Sequence, residues 1–346
     1  MSRESALSPL ASVLVVDDET SVRELLSRWL AAGGYDVRTA ESASEALRRV
    51  SGDPPAVALC DIRMPGRDGL WLAEQIRETA PETAVIMATG VQDAASAVTS
   101  LQRGVVDYLT KPFGRDRLRD SVSRGVEWHR SARESRRWRE ALEIELNAKR
   151  DGIVAVIASM AIEGEADLDR MLTLLTHADP AAYAHAYRVA ALAVSIARIV
   201  GVRPDEVPAL EQAALLHDLG KLAIPDAVLR KPAPLTREEQ MLVRLHPAIG
   251  ADLIVGIPYL SDAVPIVRHV HERADGLGFP HGLRGGEIPL AARIISVAEA
   301  YDTMIRPRVF RDAITPREAC LEVSRCAGSQ FDAQVVDAFL RVVAAE

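Results

Sequence analysis

The chain has 346 residues, enough for two ordinary domains that each bury a core, so it is divided before it is interpreted. A formal net charge of −8 argues against a general affinity for nucleic acid or for anionic membranes. The three cysteines, Cys60, Cys320 and Cys326, form neither a CxxC pair nor an even disulfide framework, and the longest apolar run, Ile153 to Ile162, is far short of the ~18 residues of a membrane span. The expectation is a cytoplasmic protein in a reducing compartment, with no membrane insertion and no DNA binding.

In chain order, residues 1–10 read as a flexible tail, and from Val13 to about Gly125 short apolar runs alternate with amphipathic stretches. Strands are expected at Val13 to Val16, Asp36 to Thr39, Val57 to Cys60, Ala84 to Met87 and Asp107 to Leu109. Between them, Val22, Leu25, Leu26 and Trp29 recur at helical spacing, as do Ala43, Ala46, Leu47 and Val50. Residues 11–126 thus read as a doubly wound α/β domain with five parallel strands. Residues 127–165 read as a helical linker: Leu118, Val122, Val126, His129 and Ala132 keep a coiled-coil spacing that Trp138, Leu142 and Leu146 resume. A homodimer through this helix and a solvated monomeric linker are both compatible with that pattern. From residue 166 to 346 the pattern is helical throughout, with Gly and Pro breaks, and predicts an all-α domain.

In the α/β half, Asp17 and Asp18 follow the first strand, Asp61 ends the third, Thr89 follows the fourth and Lys111 the fifth. These are the carboxyl ends of parallel strands, where doubly wound sheets place their ligand crevices. Three carboxylates gathered there call for a hard divalent cation, and oxygen ligands suit Mg²⁺. Asp61 can then attack a phosphoryl donor as a carboxylate nucleophile, with Lys111 and Thr89 binding the transferred group. The stretches Val16-Asp17-Asp18-Glu19, Asp61 to Gly66, Thr89-Gly90 and Tyr108 to Phe113 resemble the response-regulator receiver family. The resemblance implies phosphorylation of Asp61 by a cognate histidine kinase, a metal held by Asp17 and Asp18, and a cis Lys111-Pro112 bond. It also implies an aromatic switch at Tyr108, a residue that reads equally as a half-buried strand aromatic.

In the helical half, His217 and Asp218 interrupt an apolar helix, Ala213 to Lys221, and Lys221 is placed one turn after His217. His185, His246, His271 and Glu299 recur in helical or apolar contexts. Imidazoles and carboxylates without thiolates suit one or two divalent ions of Fe, Mn or Zn, and a bridging aspartate allows a pair that catalyses phosphoester hydrolysis. The order His185-Ala186-Tyr187, Leu216 to Lys221, Leu245-His246-Pro247, His271 to Pro280 and Gly282 to Gly285 resembles the HD-GYP family, a branch of the HD phosphohydrolases.

That resemblance implies hydrolysis of cyclic di-GMP to pGpG, and in some members onward to GMP. It places His185, His217, Asp218 and Glu299 on one metal, with Asp218 bridging to a second held by His246 and His271. Lys221 would contact the scissile phosphate, aided by Lys231 and Arg308, and Gly278-Phe279-Pro280 would be the signature loop. The family pairs two histidines where this chain has Val270-His271, places Asp at Glu299 and Tyr at Phe279. Two alternatives therefore stay open: a weakened domain that binds nucleotide or a partner such as a diguanylate cyclase, and hydrolysis of a different cyclic dinucleotide.

Overall fold

The computed structural model describes residues 11–90, 105–162, 168–178, 180–307 and 312–345. It separates into two compact units, residues 1–140 and 141–346. In the first, strands β1 (Ser12–Val16), β2 (Asp36–Ala40), β3 (Val57–Asp61), β4 (Ala84–Gly90) and β5 (Asp107–Lys111) form one parallel sheet in the order β2-β1-β3-β4-β5. The central strands are continuous apolar runs because both faces of the sheet are covered. Val13, Val15, Val57 and Leu59 enter one core, while Leu14, Val16, Ala58 and Cys60 enter the opposite one, as strand alternation requires. Cys60 is wholly buried and its thiol is pushed up to about 12 by burial and the neighbouring Asp61, so it is inert packing.

The strand order reverses between β1 and β3, and their carboxyl ends open the crevice that receives the acidic residues. Every strand runs past its expected limits, β4 and β5 by the most: Thr89 and Lys111 lie within these strands, paired with Thr110 and Gly90, rather than beyond them. The helices Thr20–Ala31, Ala43–Gly52 and Gly69–Thr79 flank the sheet, the second and third capped by Ser42 and Asp68 side chains that accept from Glu45 N–H and Trp71 N–H.

A single helix, Arg115–Ile162, starts in the first unit and ends in the second. Its apolar positions are used within the chain. Leu118 and Val122 are buried in the core of the first unit, and Leu142, Leu146 and Ile157 in the core of the second. Leu142 and Leu146, two of the positions at coiled-coil spacing, are thus packed within the core of their own unit. Trp138 and Ile144 remain exposed on the same helix, at 47% and 71%.

The second unit is entirely helical around one apolar core. Its central helices, Pro180–Val200, Val207–Leu216 and Leu290–Met304, pack on one another and supply three walls of a polar centre. Val207–Leu216 is buried at Leu210 and from Ala213 to Leu216, while Glu211 faces solvent. No helix among the described residues is long and apolar enough to cross a membrane.

Candidate metal centre and phospho-acceptor site

The helix that carries the His217-Asp218 pair ends earlier than its apolar pattern suggests. It stops at Leu216, His217 is its C-cap, and Leu219–Ala223 forms a 3₁₀ turn. The placement of Lys221 one turn after His217 is corrected accordingly. A 3₁₀ turn aligns residues three apart, so the Lys221 ammonium meets Asp218, with Nζ 2.7 Å from Oδ2. His271 likewise lies in a turn just beyond the helix Val264–His269, not in a helix.

Close backbone approaches bring the remaining elements in. A Cβ at Gly220 would lie 1.9 Å from the carbonyl oxygen of His246, so only glycine allows the 3₁₀ turn to touch the start of the helix His246–Ile254. At Gly278, a Cβ would come within 2.6 Å of the His271 carbonyl, which presses the signature loop against that turn. Phe279 then stacks on His271, with ring centroids 5.1 Å apart and planes 20° apart.

Four imidazoles present their Nε2 atoms to this centre. In three, a short contact occupies Nδ1: His217 to the Ala214 carbonyl, His246 to the Val243 carbonyl and His185 to the Asp302 carboxylate, each at 2.7 Å. These acceptors place the proton on Nδ1 and leave a lone pair on Nε2, the arrangement that a carbonyl or carboxylate behind the ring imposes on metal-binding histidines. His185 Nε2, His217 Nε2 and Asp218 Oδ1 are buried without a hydrogen-bond partner among the described residues. The fourth, His271, has its Nε2 3.0 Å from His246 Nε2.

The distances test whether cations fit. Ligands bound about 2.0–2.2 Å from one ion stand roughly 3–3.6 Å apart. Asp218 Oδ1 lies 3.6 Å from His217 Nε2 and 3.7 Å from His246 Nε2, between the two histidine groups. His185, His217 and Glu299 offer ligand atoms within 4.8 Å of one another, as do Asp218, His246 and His271. The donor set of nitrogen and oxygen without sulfur fits divalent transition ions.

The charges agree. Burial would raise the Asp218 carboxyl, but the adjacent Lys221 ammonium holds it well below the usual carboxylate range. Burial lowers His246 to about 3 and lowers His271, so both imidazoles are neutral at pH 7, as ligands must be. Burial opposes ionisation of Glu299 as well, yet the neighbouring imidazoles and Lys221 leave its carboxyl below its ordinary range.

Sequence reasoning missed Asp302 and Arg188. Asp302 is buried, and Arg188 grips its carboxylate with Nε 2.7 Å from Oδ1 and Nη2 2.9 Å from Oδ2, while the same Oδ2 faces His185. Burial would raise the Asp302 carboxyl, but His185 and Arg188 together depress it strongly. The available signal was spacing: Asp302 lies three residues after Glu299 and Arg188 three after His185, each on the same helix face as its partner.

Other expectations diverge from the geometry. Lys231 is held by Glu239, its Nζ 2.7 and 2.9 Å from the two carboxylate oxygens, and no ion pair among the described residues joins it to the centre. Arg308 lies outside the described residues. Val270 is wholly buried in the apolar core, and the ring of the preceding His269 faces His281.

In the first unit, Asp17, Asp18 and Asp61 offer oxygens within 4.8 Å of one another. Lys111 Nζ stands 2.8 Å from Asp17 Oδ2 and 3.0 Å from Asp61 Oδ1. Burial and the two neighbouring aspartates raise the Asp61 carboxyl against the pull of Lys111. Lys111 stays charged, because its carboxylate partners outweigh the effect of burial. Thr89 is buried at the end of β4, Tyr108 packs against the sheet core, and the Lys111-Pro112 bond is cis.

Known proteins give the same division. Residues 13–123 match the response regulator receiver domain family and residues 170–335 match the HD domain family. The cyclic di-GMP phosphodiesterase response regulator RpfG of Xanthomonas campestris pv. campestris is 32% identical over 336 residues, which span 95% of this chain and 87% of that protein. A cyclic di-GMP phosphodiesterase of Thermotoga maritima is 29% identical over 337 residues, 96% of this chain and 90% of its own length. A 3′3′-cGAMP-specific phosphodiesterase of Vibrio cholerae is 31% identical over 159 residues, 45% of this chain and 30% of that protein. The agreement in order and extent places this chain in the HD-GYP response regulators, in which a receiver domain is joined to an HD-type, divalent-metal-dependent phosphohydrolase domain.

Proposed function

We propose that this chain hydrolyses cyclic di-GMP to linear pGpG, with GMP as a further product, under the control of aspartyl phosphorylation. The observation that carries the reading is the convergence of bare, buried ligand atoms, His185 Nε2, His217 Nε2 and Asp218 Oδ1, beside the His246–His271 pair. The two relatives of matching length named for cyclic di-GMP hydrolysis support it. Metal ions of the Fe or Mn class would supply hydroxide near neutral pH and neutralise a phosphoryl oxygen.

The chain's own groups then divide the work. His185, His217, Asp218 and Glu299 would hold one ion, and His246 and His271 with Asp218 a second. Lys221, paired with Asp218, would contact the scissile phosphate. Phe279, flanked by Gly278 and Pro280, keeps the His271 ring in place by stacking. Arg308 is a further phosphate contact in this assignment; Lys231 can join it only by leaving Glu239.

Residues 11–126 serve as the receiver, 127–165 as the linker and 166–346 as the hydrolase in this reading. A histidine kinase supplies the phosphoryl group to Asp61, with Mg²⁺ on Asp17, Asp18 and Asp61, and Lys111, Thr89 and Tyr108 register the change. The exposed Trp138 and Ile144 favour a homodimer through the linker helix. The decisive experiment loads purified protein with Fe(II) or Mn(II) and follows cyclic di-GMP by chromatography. Turnover is expected in the wild type and a loss of about two orders of magnitude or more in Asp218→Ala. Intact substrate over a fully metallated protein would refute the assignment.

A second reading changes the substrate to another cyclic dinucleotide, and the Vibrio cholerae relative favours it. Turnover of cyclic di-GMP and 3′3′-cGAMP measured side by side separates the two. The apolar burial of Val270 favours a third, a metal-poor output module that docks on a partner such as a diguanylate cyclase. It requires Asp218→Ala to keep its signalling effect in cells.

A further inference from the structure

We propose that His269, Glu272 and His281 form a separate divalent-metal site, of the zinc class, that clamps the signature loop to the end of the helix Val264–His269. His269 is the last residue of that helix, Glu272 lies in the turn after it, and His281 follows Gly278-Phe279-Pro280. The three offer ligand atoms within 4.8 Å of one another and share none with the centre around Asp218.

The ring geometry suits a cation. His269 Nδ1 lies 2.7 Å from the Pro265 carbonyl, so it carries the proton and leaves a lone pair on Nε2. That Nε2 stands 3.2 Å from His281 Nδ1. Two nitrogens bound about 2.0–2.1 Å from a tetrahedral zinc are roughly 3.3 Å apart, so the rings already span one edge of the polyhedron.

Glu272 supplies the second argument. It is 3% exposed, and among the described residues it has no ion-pair partner; its oxygens accept only the His281 and Leu283 backbone N–H groups, at 2.7 and 3.1 Å. Among the described residues, those two amides are the only partners of a buried side chain whose oxygen stands within ligand distance of both imidazoles. The amide contacts occupy one lone pair on each oxygen and leave others for a metal. Two imidazoles, one carboxylate and an exposed side at His281 for water complete a four-coordinate set of the kind zinc takes.

The site would act on the loop. Glu272 already fastens the backbone at 281 and 283, and an ion on His281 would fix the segment that carries Phe279 onto His271.

The test uses the full-length chain without an affinity tag, stripped of metal and titrated with Zn²⁺, with Co²⁺ as a visible-spectrum probe. Wild type is expected to bind one equivalent more than His281→Ala or His269→Ala, both checked for fold by circular dichroism. Asp218→Ala is expected to retain that equivalent, and to lose it in the double variant with His281→Ala. His281 is exposed, so its variant should fold. Equal stoichiometry in wild type and His281→Ala would reduce the contact to an imidazole–imidazole hydrogen bond and overturn the proposal. Because the readout is stoichiometry, absence of phosphodiesterase turnover would not affect the result.

Discussion

Asp302 shows how much of the metal centre depends on a residue that offers it no ligand atom in the groups around Asp218. Its carboxylate orients His185 and is itself held by Arg188. Asp302→Asn keeps the shape but removes the charge that favours the Nδ1–H tautomer, and metal affinity is expected to fall about 10- to 100-fold, measured by competition with a chelator. His246 makes a pH prediction for the metal-free protein. Its folded pKa is lowered to about 3 from an ordinary 6.5, chiefly by burial. Between those values the unfolded chain binds a proton that the folded chain refuses, so stability falls as pH decreases through that window. From pH 7 to pH 5 this one group is expected to cost about 2 kcal/mol, read as a shift in urea midpoint that is smaller in His246→Gln by that amount.

At the level of elements, the centre is assembled by unusually close contacts between short turns. The 3₁₀ turn Leu219–Ala223 reaches the helix His246–Ile254 only because residue 220 has no Cβ. Gly220→Ala places a methyl group against backbone, which cannot rotate away. The expected result is destabilisation by at least about 2 kcal/mol in denaturant unfolding, together with loss of bound metal as His246 separates from Asp218. The same turn explains Lys221. Tightening to three residues per turn moves its ammonium over Asp218, where it neutralises a carboxylate that also faces two imidazoles.

Across the whole molecule, the acidic cluster around Asp61 lies in one compact unit and the candidate metal centre in the other, and the helix Arg115–Ile162 belongs to both. Phosphorylation can reach the hydrolase only by favouring one of two arrangements, because a ligand shifts an equilibrium only by its differential stabilisation of the states. A phosphoryl group on Asp61 would compete with Asp17 for Lys111, which bridges both carboxylates. Turnover is therefore expected to differ, by about 5-fold or more, between phosphorylated wild type and Asp61→Asn in a steady-state assay. Equal rates would mean that the two units work independently.

Much of this was legible in order and spacing. Short continuous apolar runs and stretches of period 3.6 specify the parallel sheet and the helices, and Asp17, Asp18, Asp61 and Lys111 fall at or next to the carboxyl ends of strands. The side chains at 185, 217, 218, 246, 271 and 299 likewise form a nitrogen and oxygen donor set that the family resemblance groups together and the structure brings close. Partners across elements were not legible. Whether Leu142 and Leu146 meet another chain or their own core, whether Lys231 meets phosphate or Glu239, and whether His269 turns toward His271 or His281 depend on what packs beside them. Periodicity decides which residues share a face, since it follows from the backbone of one element; tertiary packing decides what that face meets, since it follows from the close approach of several.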